Sequence, residues 1–118
     1  AEGVLPEAQS LQELTNKIAH VLERAPVVIG RPEQEIKRVA WCTGGAQGYF
    51  QEAIDAGVDA YITGEISESQ YHLANETGVA FISAGHHATE KFGVQALAKC
   101  IETHHGIGFQ FFDEQNPA

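Results

Sequence analysis

Two histidines and a glutamate stand close together in the segment SAGHHATEKFG, residues 83–93. If a helix begins at His86, Glu90 follows four residues later and lies about 40° away around the helix axis. His87 and Glu90, three residues apart, are separated by about 60° and share a face as well. Imidazole nitrogen with carboxylate oxygen suits zinc, iron, manganese or nickel. The spacing therefore predicts either a metal-binding pair or a polar helix start with Glu90 near its positive end.

A metal centre usually needs three protein ligands, and this segment offers only two of them. Glu65, in the segment TGEIS, follows an earlier apolar run and could reach the same place. It could serve as a further ligand, as a base beside the metal, or as an ion-pair partner. The residue types alone leave these three roles open.

A glycine-rich segment, CTGGAQG at residues 42–48, joins a predicted strand to a predicted helix. Such a junction can bind phosphate through backbone amides at a helix N-terminus. The segment lacks both the G-x-G-x-x-G spacing and a GK[ST] ending, since Thr43 occupies the first glycine position and the glycines are Gly44, Gly45 and Gly48. A tight strand-to-helix turn is the simpler interpretation, and anion binding is the alternative.

The remaining reactive residue types favour structural roles. His104 and His105 end the last predicted helix, where the helix dipole favours cations. Trp41 lies within a predicted strand and is expected in the core. Cys42 and Cys100 form no C-x-x-C motif, so we expect two buried thiols in a reducing, cytoplasmic protein.

Composition limits the function classes. The chain has 118 residues, 43% of them hydrophobic, and no apolar run approaches the ~20 residues of a membrane span. The net charge is −9, and residues 41–118 carry 10 acidic but only 2 basic side chains. This surface would repel a nucleic-acid backbone and suits a cation site better. Because the chain contains no methionine, we expect it to be a piece of a longer polypeptide.

The hydrophobic pattern predicts a single α/β domain over residues 1–118, with a mostly parallel or mixed sheet. Ser10 with Glu13, and Ser67 with Gln70, have capping-box spacing and mark two helix starts. The last helix should turn Val94, Leu97, Ala98 and Ile101 inward. The predicted order is α-β-β-α-β-α-β-α-β, with strands at residues 27–30, 37–42, 59–63, 79–83 and 107–113.

Polar segments follow three of these strands at the point where each strand ends. They are CTGGAQG, TGEISES and SAGHHATE. Ligands of open α/β sheets gather beyond the carboxyl ends of the strands. We therefore expect these three segments to lie together and to form the functional site.

The ordered series RVAWCTGGAQGYFQEAIDAGVDA, GVDAYITGEISE, AGHHATEKFGV and a terminal NPA resembles one family. It is similar to the C-terminal half of the GTP cyclohydrolase I type 2 homologues, also called Ngg-interacting-factor-three-like dinuclear metal proteins. The resemblance is strongest over residues 38–118. It implies one half of a two-domain α/β fold, a ring-shaped homohexamer and two divalent metal ions per full-length subunit.

The resemblance also implies roles for particular residues. The family motif G-H-x-x-T-E falls on His86 and Glu90, which become the expected metal ligands, with the Glu90 carboxylate bridging both ions. His87 and Glu65 are then expected beside the ligands rather than on the metal. The family's other ligands, a histidine pair and an aspartate, have no counterpart here. We therefore expect this chain alone to bind metal weakly or not at all and to show no turnover.

Two functions remain open. The first is a metal-dependent hydrolase of an unidentified nucleotide-like or phosphorylated small molecule. The alternative is a non-enzymatic ring-forming scaffold or regulatory interaction module with structural metals. A third, weaker interpretation is a nucleotide-binding module that uses CTGGAQG.

Overall fold

A computed structural model describes residues 1–114 and 116–117. Within them the chain forms a mixed α/β domain, which confirms the predicted fold class. A short 3-10 turn at Gln47–Tyr49 precedes the second helix. The elements are β1 (Glu2–Ser10), α1 (Leu11–Leu22), β2 (Val27–Ile29), β3 (Glu35–Trp41), α2 (Phe50–Asp55), β4 (Ala60–Thr63), α3 (Glu68–Thr77), β5 (Ala80–Ser83) and α4 (His86–His105).

The five strands form one mixed sheet in the order β1-β3-β4-β5-β2. The three central strands run parallel, with Val39 opposite Ala60 and Ala60 opposite Ala80. The edge strands β1 and β2 are antiparallel to their neighbours. The carboxyl ends of β3, β4 and β5 therefore lie side by side, as the sequence predicted.

Two hydrophobic clusters hold helices against the sheet. In the first, Leu11 and Leu14 of α1 pack with strand residues such as Ile36 and Ile82. The second is aromatic, and the rings of Phe50 and Phe81 meet edge to face at 4.8 Å between centroids. These clusters fix the central strands, and with them the positions of the segments that follow the strands.

Both predicted capping boxes are present at helix starts. The Glu13 backbone N–H donates to Oγ of Ser10 at 3.2 Å, and the Glu13 carboxylate accepts from the Ser10 N–H at 2.8 Å. At α3 the Ser67 N–H donates to Oε1 of Gln70 at 3.1 Å. Local side-chain signals therefore located both of these helix starts correctly.

The first strand, β1, was not predicted from the sequence. Its register against β3 shifts between Val4 and Gln9, and Pro6 lies within that irregular stretch. Proline is tolerated in a strand at the edge of a sheet because the outward N–H has no partner there. The shift and the proline interrupt the alternating pattern by which a strand is normally recognised.

The predicted last strand at residues 107–113 is wrong for this structure. The segment is irregular, and it pairs with no strand among the described residues. Ile107 and Phe112 are 60% and 79% exposed. A strand needs a partner for its backbone groups, and β1 and β2 occupy the two edges of the sheet.

The predicted inward face of α4 is also wrong here. Val94, Leu97 and Ile101 are exposed and Ala98 is half-buried, whereas Ala88 is buried. Helical periodicity identifies an apolar side, but it does not supply the surface against which that side packs.

Among the described residues, no helix has the length and apolarity that a bilayer span requires.

Two smaller expectations are corrected in the same way. Trp41 is 43% exposed instead of buried, and Cys100 is exposed, whereas half-buried Cys42 packs against the aromatic cluster. Trp41 is the last residue of β3, and Cys100 lies in the part of α4 where Leu97 and Ile101 are also exposed. A sequence pattern indicates which side chains are apolar, but the packing of the helices on the sheet determines which of them are buried.

Candidate functional site

The three segments that follow the parallel strands meet, as the topology predicted. The Gly44 carbonyl accepts from the Gly64 N–H at 2.9 Å and from the Thr63 hydroxyl at 3.1 Å. The Gly85 N–H in turn donates to the Gly64 carbonyl at 3.0 Å. Backbone hydrogen bonds thus join the carboxyl ends of β3, β4 and β5 directly.

Gly64 permits this close approach because it has no side chain. A Cβ built on Gly64 would lie 2.6 Å from the Gly44 carbonyl oxygen and 2.6 Å from Cα of His86. Both contacts are with backbone, which cannot rotate away. The first residue of α4 is therefore held against the segment that follows β4.

His86 and Glu90 lie on the same side of the first turns of α4. Nε2 of His86 is 3.2 Å from Oε2 of Glu90, and both side chains are partly exposed to solvent. The four-residue spacing that suggested this pair therefore produces a real contact. It brings an imidazole nitrogen and a carboxylate oxygen together at the site.

Glu65 approaches the other ring nitrogen of His86. Its Oε1 lies 2.6 Å from Nδ1 of His86, and its Oε2 accepts from the Gln47 amide at 3.2 Å. The imidazole of His86 therefore lies between two carboxylates, one from the segment after β4 and one from its own helix.

These contacts change the proton affinities of both groups. The hydrogen bond to Glu65 raises the pKa of His86; the negative charge of Glu90 acts in the same direction, while partial desolvation opposes it. The hydrogen bonds from His86 and then from Gln47 lower the pKa of Glu65. A neutral imidazole has one N–H, so it can donate to only one of two carboxylates. A proton or a metal cation at the other nitrogen would satisfy the second.

The glycine-rich segment forms a tight turn against the first turn of α4. Gly44 has a φ of +70°, and its N–H donates to the Thr89 hydroxyl at 3.1 Å. Thr89 donates in turn to the His86 carbonyl at 3.0 Å. The Ala46 N–H donates back to the Gly44 carbonyl at 3.0 Å. With the Cys42 N–H, which donates to the Ile62 carbonyl, three amides of the segment are engaged within the protein, which weakens the phosphate-binding interpretation.

Tyr61 supports the same turn from below. Its hydroxyl, at the end of a buried side chain, donates to the Ala46 carbonyl at 2.8 Å. Burial raises the pKa of Tyr61 to about 12, so the hydroxyl remains protonated and keeps donating. The turn is thus fixed by the core as well as by its own hydrogen bonds.

His87 takes part in a different contact. Its Nε2 lies 3.0 Å from Oδ1 of Asp113, and Nζ of Lys91 lies 2.8 Å from Oδ2 of the same carboxylate. The Lys91 ammonium, followed by His87, lowers the pKa of Asp113 to about 2. Asp113 and Lys91 were not predicted from the sequence, because 22 residues separate the pair along the chain.

The donor atoms around His86 fit a divalent metal in type but not in number. Nε2 of His86 and the Glu90 carboxylate offer the nitrogen and oxygen donors that zinc, iron, manganese or nickel accept. Across residues 1–114 and 116–117, no group of three His, Cys, Asp or Glu side chains is arranged to hold a metal ion. The described part of the chain therefore presents at most one side of such a site.

Sequence reasoning missed Gln47 and Thr89. Gln47 carries one available signal, since it lies in the polar segment that follows β3 and was expected near the site as part of that segment. Thr89 lies between the two predicted ligands along α4, but its hydroxyl donates to the backbone carbonyl of His86 and does not contact either ligand side chain. Its contact with Gly44 depends on how α4 meets the glycine-rich turn.

Comparison with known proteins identifies the family. Residues 1–117 match the family model described as Duf34/NIF3 (NGG1p interacting factor 3). The chain belongs to this family.

Curated relatives share the sequence over nearly the whole chain. A GTP cyclohydrolase 1 type 2 homolog from Neisseria meningitidis serogroup A is 65% identical over 98% of this chain and 47% of its own length. A protein of the same name from Pseudomonas aeruginosa is 48% identical over 98% of this chain and 46% of its own length. The chain thus spans about half the length of the curated relatives it matches.

A solved structure shows the same fold. Protein ybgI, described as of unknown function, is 43% identical and superposes with a TM-score of 0.93, covering 99% of this chain and 48% of that chain.

Proposed function

We propose that this chain is the C-terminal part of a dinuclear metal-dependent hydrolase that acts on a nucleotide-like or phosphorylated small molecule. The observation that supports it best is the position of the His86 imidazole between the carboxylates of Glu65 and Glu90. Two acidic groups around one ring create a place where a cation is favourable. His86 and Glu90 are also the residues on which the family's metal-binding motif falls.

In this proposal the described residues supply one side of the site. His86 contributes Nε2 and Glu90 contributes its carboxylate, while Glu65 and His87 lie beside the ligands. The remaining ligands belong to the part of the longer polypeptide that this chain does not include, hereafter the rest of the parent protein. When bound, two divalent ions supply an acidified water nucleophile and positive charge for the developing oxyanion.

The chain's own residues prepare the site in three ways. Backbone hydrogen bonds among Gly44, Gly64 and Gly85 fix the start of α4, so His86 has a defined position. Glu90 lies one turn further along the same helix. Glu65 contacts Nδ1 of the His86 ring, and Nε2 of the same ring faces Glu90.

We place the protein in the cytoplasm, because Cys42 and Cys100 are both free thiols.

The test is hydrolysis by the parent protein. Purified protein is incubated with zinc or manganese and a panel of nucleotides and phosphate esters. We expect turnover that requires added metal and that His86→Ala abolishes. The matched control is His72→Ala, because His72 is an exposed histidine on α3 whose ion pair with Glu68, at 4.0 Å, lies outside the site. Equal turnover by the His86 variant, or no turnover of any substrate class with metal bound, would contradict the proposal.

A second candidate is a ring-forming scaffold, which the exposed apolar residues of α4 favour. Val94 and Leu97 are 57% and 61% exposed. A group of exposed apolar side chains on one helix is typical of a surface that binds another protein. Self-association of the parent protein, as a homohexamer, would cover such a surface. Light scattering tests this: we expect Leu97→Glu to reduce the mass of the parent assembly, while Thr103→Glu on the same helix leaves it unchanged. A monomeric parent would exclude the scaffold.

A further inference from the structure

Two carboxylates compete for one imidazole at the start of α4. Oε1 of Glu65 lies 2.6 Å from Nδ1 of His86, and Oε2 of Glu90 lies 3.2 Å from Nε2 of the same ring. The neutral ring carries one N–H, and the tautomer decides which carboxylate receives it. The shorter contact, to Glu65, is the stronger acceptor interaction.

Glu65 is itself held in place by the glycine-rich turn. Gln47, near the end of this glycine-rich segment and the first residue of the 3-10 turn, donates its amide N–H to Oε2 of Glu65 at 3.2 Å. A Cβ built on Gly45 would lie 3.1 Å from Oε1 of Glu65, so the backbone of the turn packs against the carboxylate. Glu65 is thus held by Gln47 at Oε2 and by the backbone of the turn near Oε1, the oxygen that contacts His86.

The position of Gln47 is unfavourable for the free energy of folding in one respect. Its Oε1 is buried without a hydrogen-bond partner among the described residues, which is destabilising. The reverse amide orientation would be worse, because it would set Oε1 against the Glu65 carboxylate. Packing alone does not account for a buried Gln47 with an unsatisfied Oε1. The hydrogen bond from its amide to the Glu65 carboxylate explains its position better.

We propose that Glu65 fixes the tautomer of neutral His86 and that Gln47 is the residue that positions Glu65. The ring proton stays on Nδ1, and the lone pair of Nε2 points toward Glu90. Without Glu65, the proton would move to Nε2 and donate to Glu90, which would occupy the nitrogen that a metal needs. The inference rests on the proposed function in one respect: metal binding explains why Nε2 of His86 should stay unprotonated and free to bind a cation.

The first test needs no metal. Ring nitrogens that carry a proton differ in 15N chemical shift from those that do not, so NMR of the 15N-histidine-labelled chain at alkaline pH reports the tautomer of His86. We expect Nδ1 to be protonated in the wild type. In Glu65→Ala we expect the proton on Nε2. Glu68→Ala is the control, because it removes an exposed carboxylate on α3 and should leave His86 unchanged.

Gln47→Met separates positioning from folding. The methionine is similar in length, lacks the amide donor and also removes the unsatisfied Oε1. We expect the free energy of unfolding to be maintained or raised, while the Nδ1–H fraction of His86 falls. A wild-type ring protonated at Nε2, or a tautomer unaffected by Glu65→Ala, would overturn the proposal. A Gln47→Met tautomer identical to wild type would remove Gln47 from it.

A metal titration of the parent protein distinguishes this inference from the proposed function. We expect Glu65→Ala to weaken zinc binding by about 10–100-fold, as replacing a partner of a metal-bound histidine generally does. If wild-type protein shows the Nδ1–H tautomer but binds no zinc, the proposed function fails and the tautomer assignment stands. If zinc binds equally well to wild type and Glu65→Ala although the NMR tautomer differs, the claim that Glu65 keeps Nε2 ready for a cation is overturned.

Discussion

Gly44 lies directly against the carboxylate of Glu90. A Cβ atom built on Gly44 would collide with Oε1 of Glu90 and would stand 3.2 Å from Nε2 of His86. The glycine-rich turn is therefore one wall of the candidate site. Its lack of a side chain leaves Glu90 free to reach His86.

Replacing Gly44 with alanine should disturb both the fold and the site. The φ of +70° is unfavourable for a residue with a Cβ, and this alone should lower the free energy of unfolding by about 1–2 kcal/mol. The Glu90 carboxylate, at the end of a flexible side chain, would also have to move away from the new methyl group. Urea denaturation of the 118-residue chain measures the loss of stability. Gly48→Ala is the control, because no atom lies within 4 Å of its Cβ position. Equal effects of the two substitutions would contradict the described turn.

Gly64→Ala should destabilise the chain by overpacking. Its Cβ would meet the Gly44 carbonyl and the backbone of His86, both at 2.6 Å, so we expect a loss of about 1–3 kcal/mol. Thermal unfolding followed by circular dichroism would show it as a lower Tm. An unchanged Tm would mean that the segments after β3, β4 and β5 do not meet at these distances.

Gly93→Ala should stabilise the chain, in contrast to the two previous substitutions. Gly93 lies inside α4, and no atom is within 4 Å of its Cβ position. Alanine has the higher helix propensity, so we expect the free energy of unfolding to rise by about 0.5–1 kcal/mol. A decrease in denaturant unfolding experiments would show that α4 is not a regular helix at this point.

Acid should remove the contribution of Asp113. Its pKa falls from the ordinary value of 3.8 to about 2 in the folded chain. A lowered folded-state pKa stabilises the fold above the ordinary value, and that stabilisation disappears as the pH falls through the folded value. Asp113→Asn should therefore be less stable than wild type at about pH 5, with the difference closing toward about pH 2. A difference that is constant across this range would contradict the ion pair with Lys91.

Much of the site was predictable because it depends on short-range order along the chain. Strands that alternate with helices place their carboxyl ends together, so the segments containing Gly44, Glu65 and His86 had to meet. The contact between His86 and Glu90 follows from helical spacing alone. Neither inference required knowledge of a distant partner.

The role of Glu65 could not be read from the sequence. A ligand, a base and an ion-pair partner need the same carboxylate, and only the 2.6 Å contact with Nδ1 of His86 shows which ring nitrogen it approaches. Gln47 was missed for the same reason. An amide in a polar turn has no distinguishing pattern until its acceptor is located.

The errors in the fold concern surfaces that lie far apart in sequence. The segment at residues 107–113 has the composition of a strand, but pairing is a property of two segments. The apolar side of α4 was identified correctly as apolar, but Val94, Leu97 and Ile101 are exposed among the described residues. The strand β1 was overlooked because its partner β3, rather than its own pattern, makes it a strand.

The most direct test of the central claim is a calorimetric titration with zinc or manganese of this chain and of the parent protein. We expect weak or no binding by the chain, because in the proposed function His86 and Glu90 would form only one side of the site. We expect two ions per subunit in the parent protein, and their loss in the His86→Ala variant. Tight binding of two ions by the isolated chain, or full metal content in the variant parent, would contradict the claim.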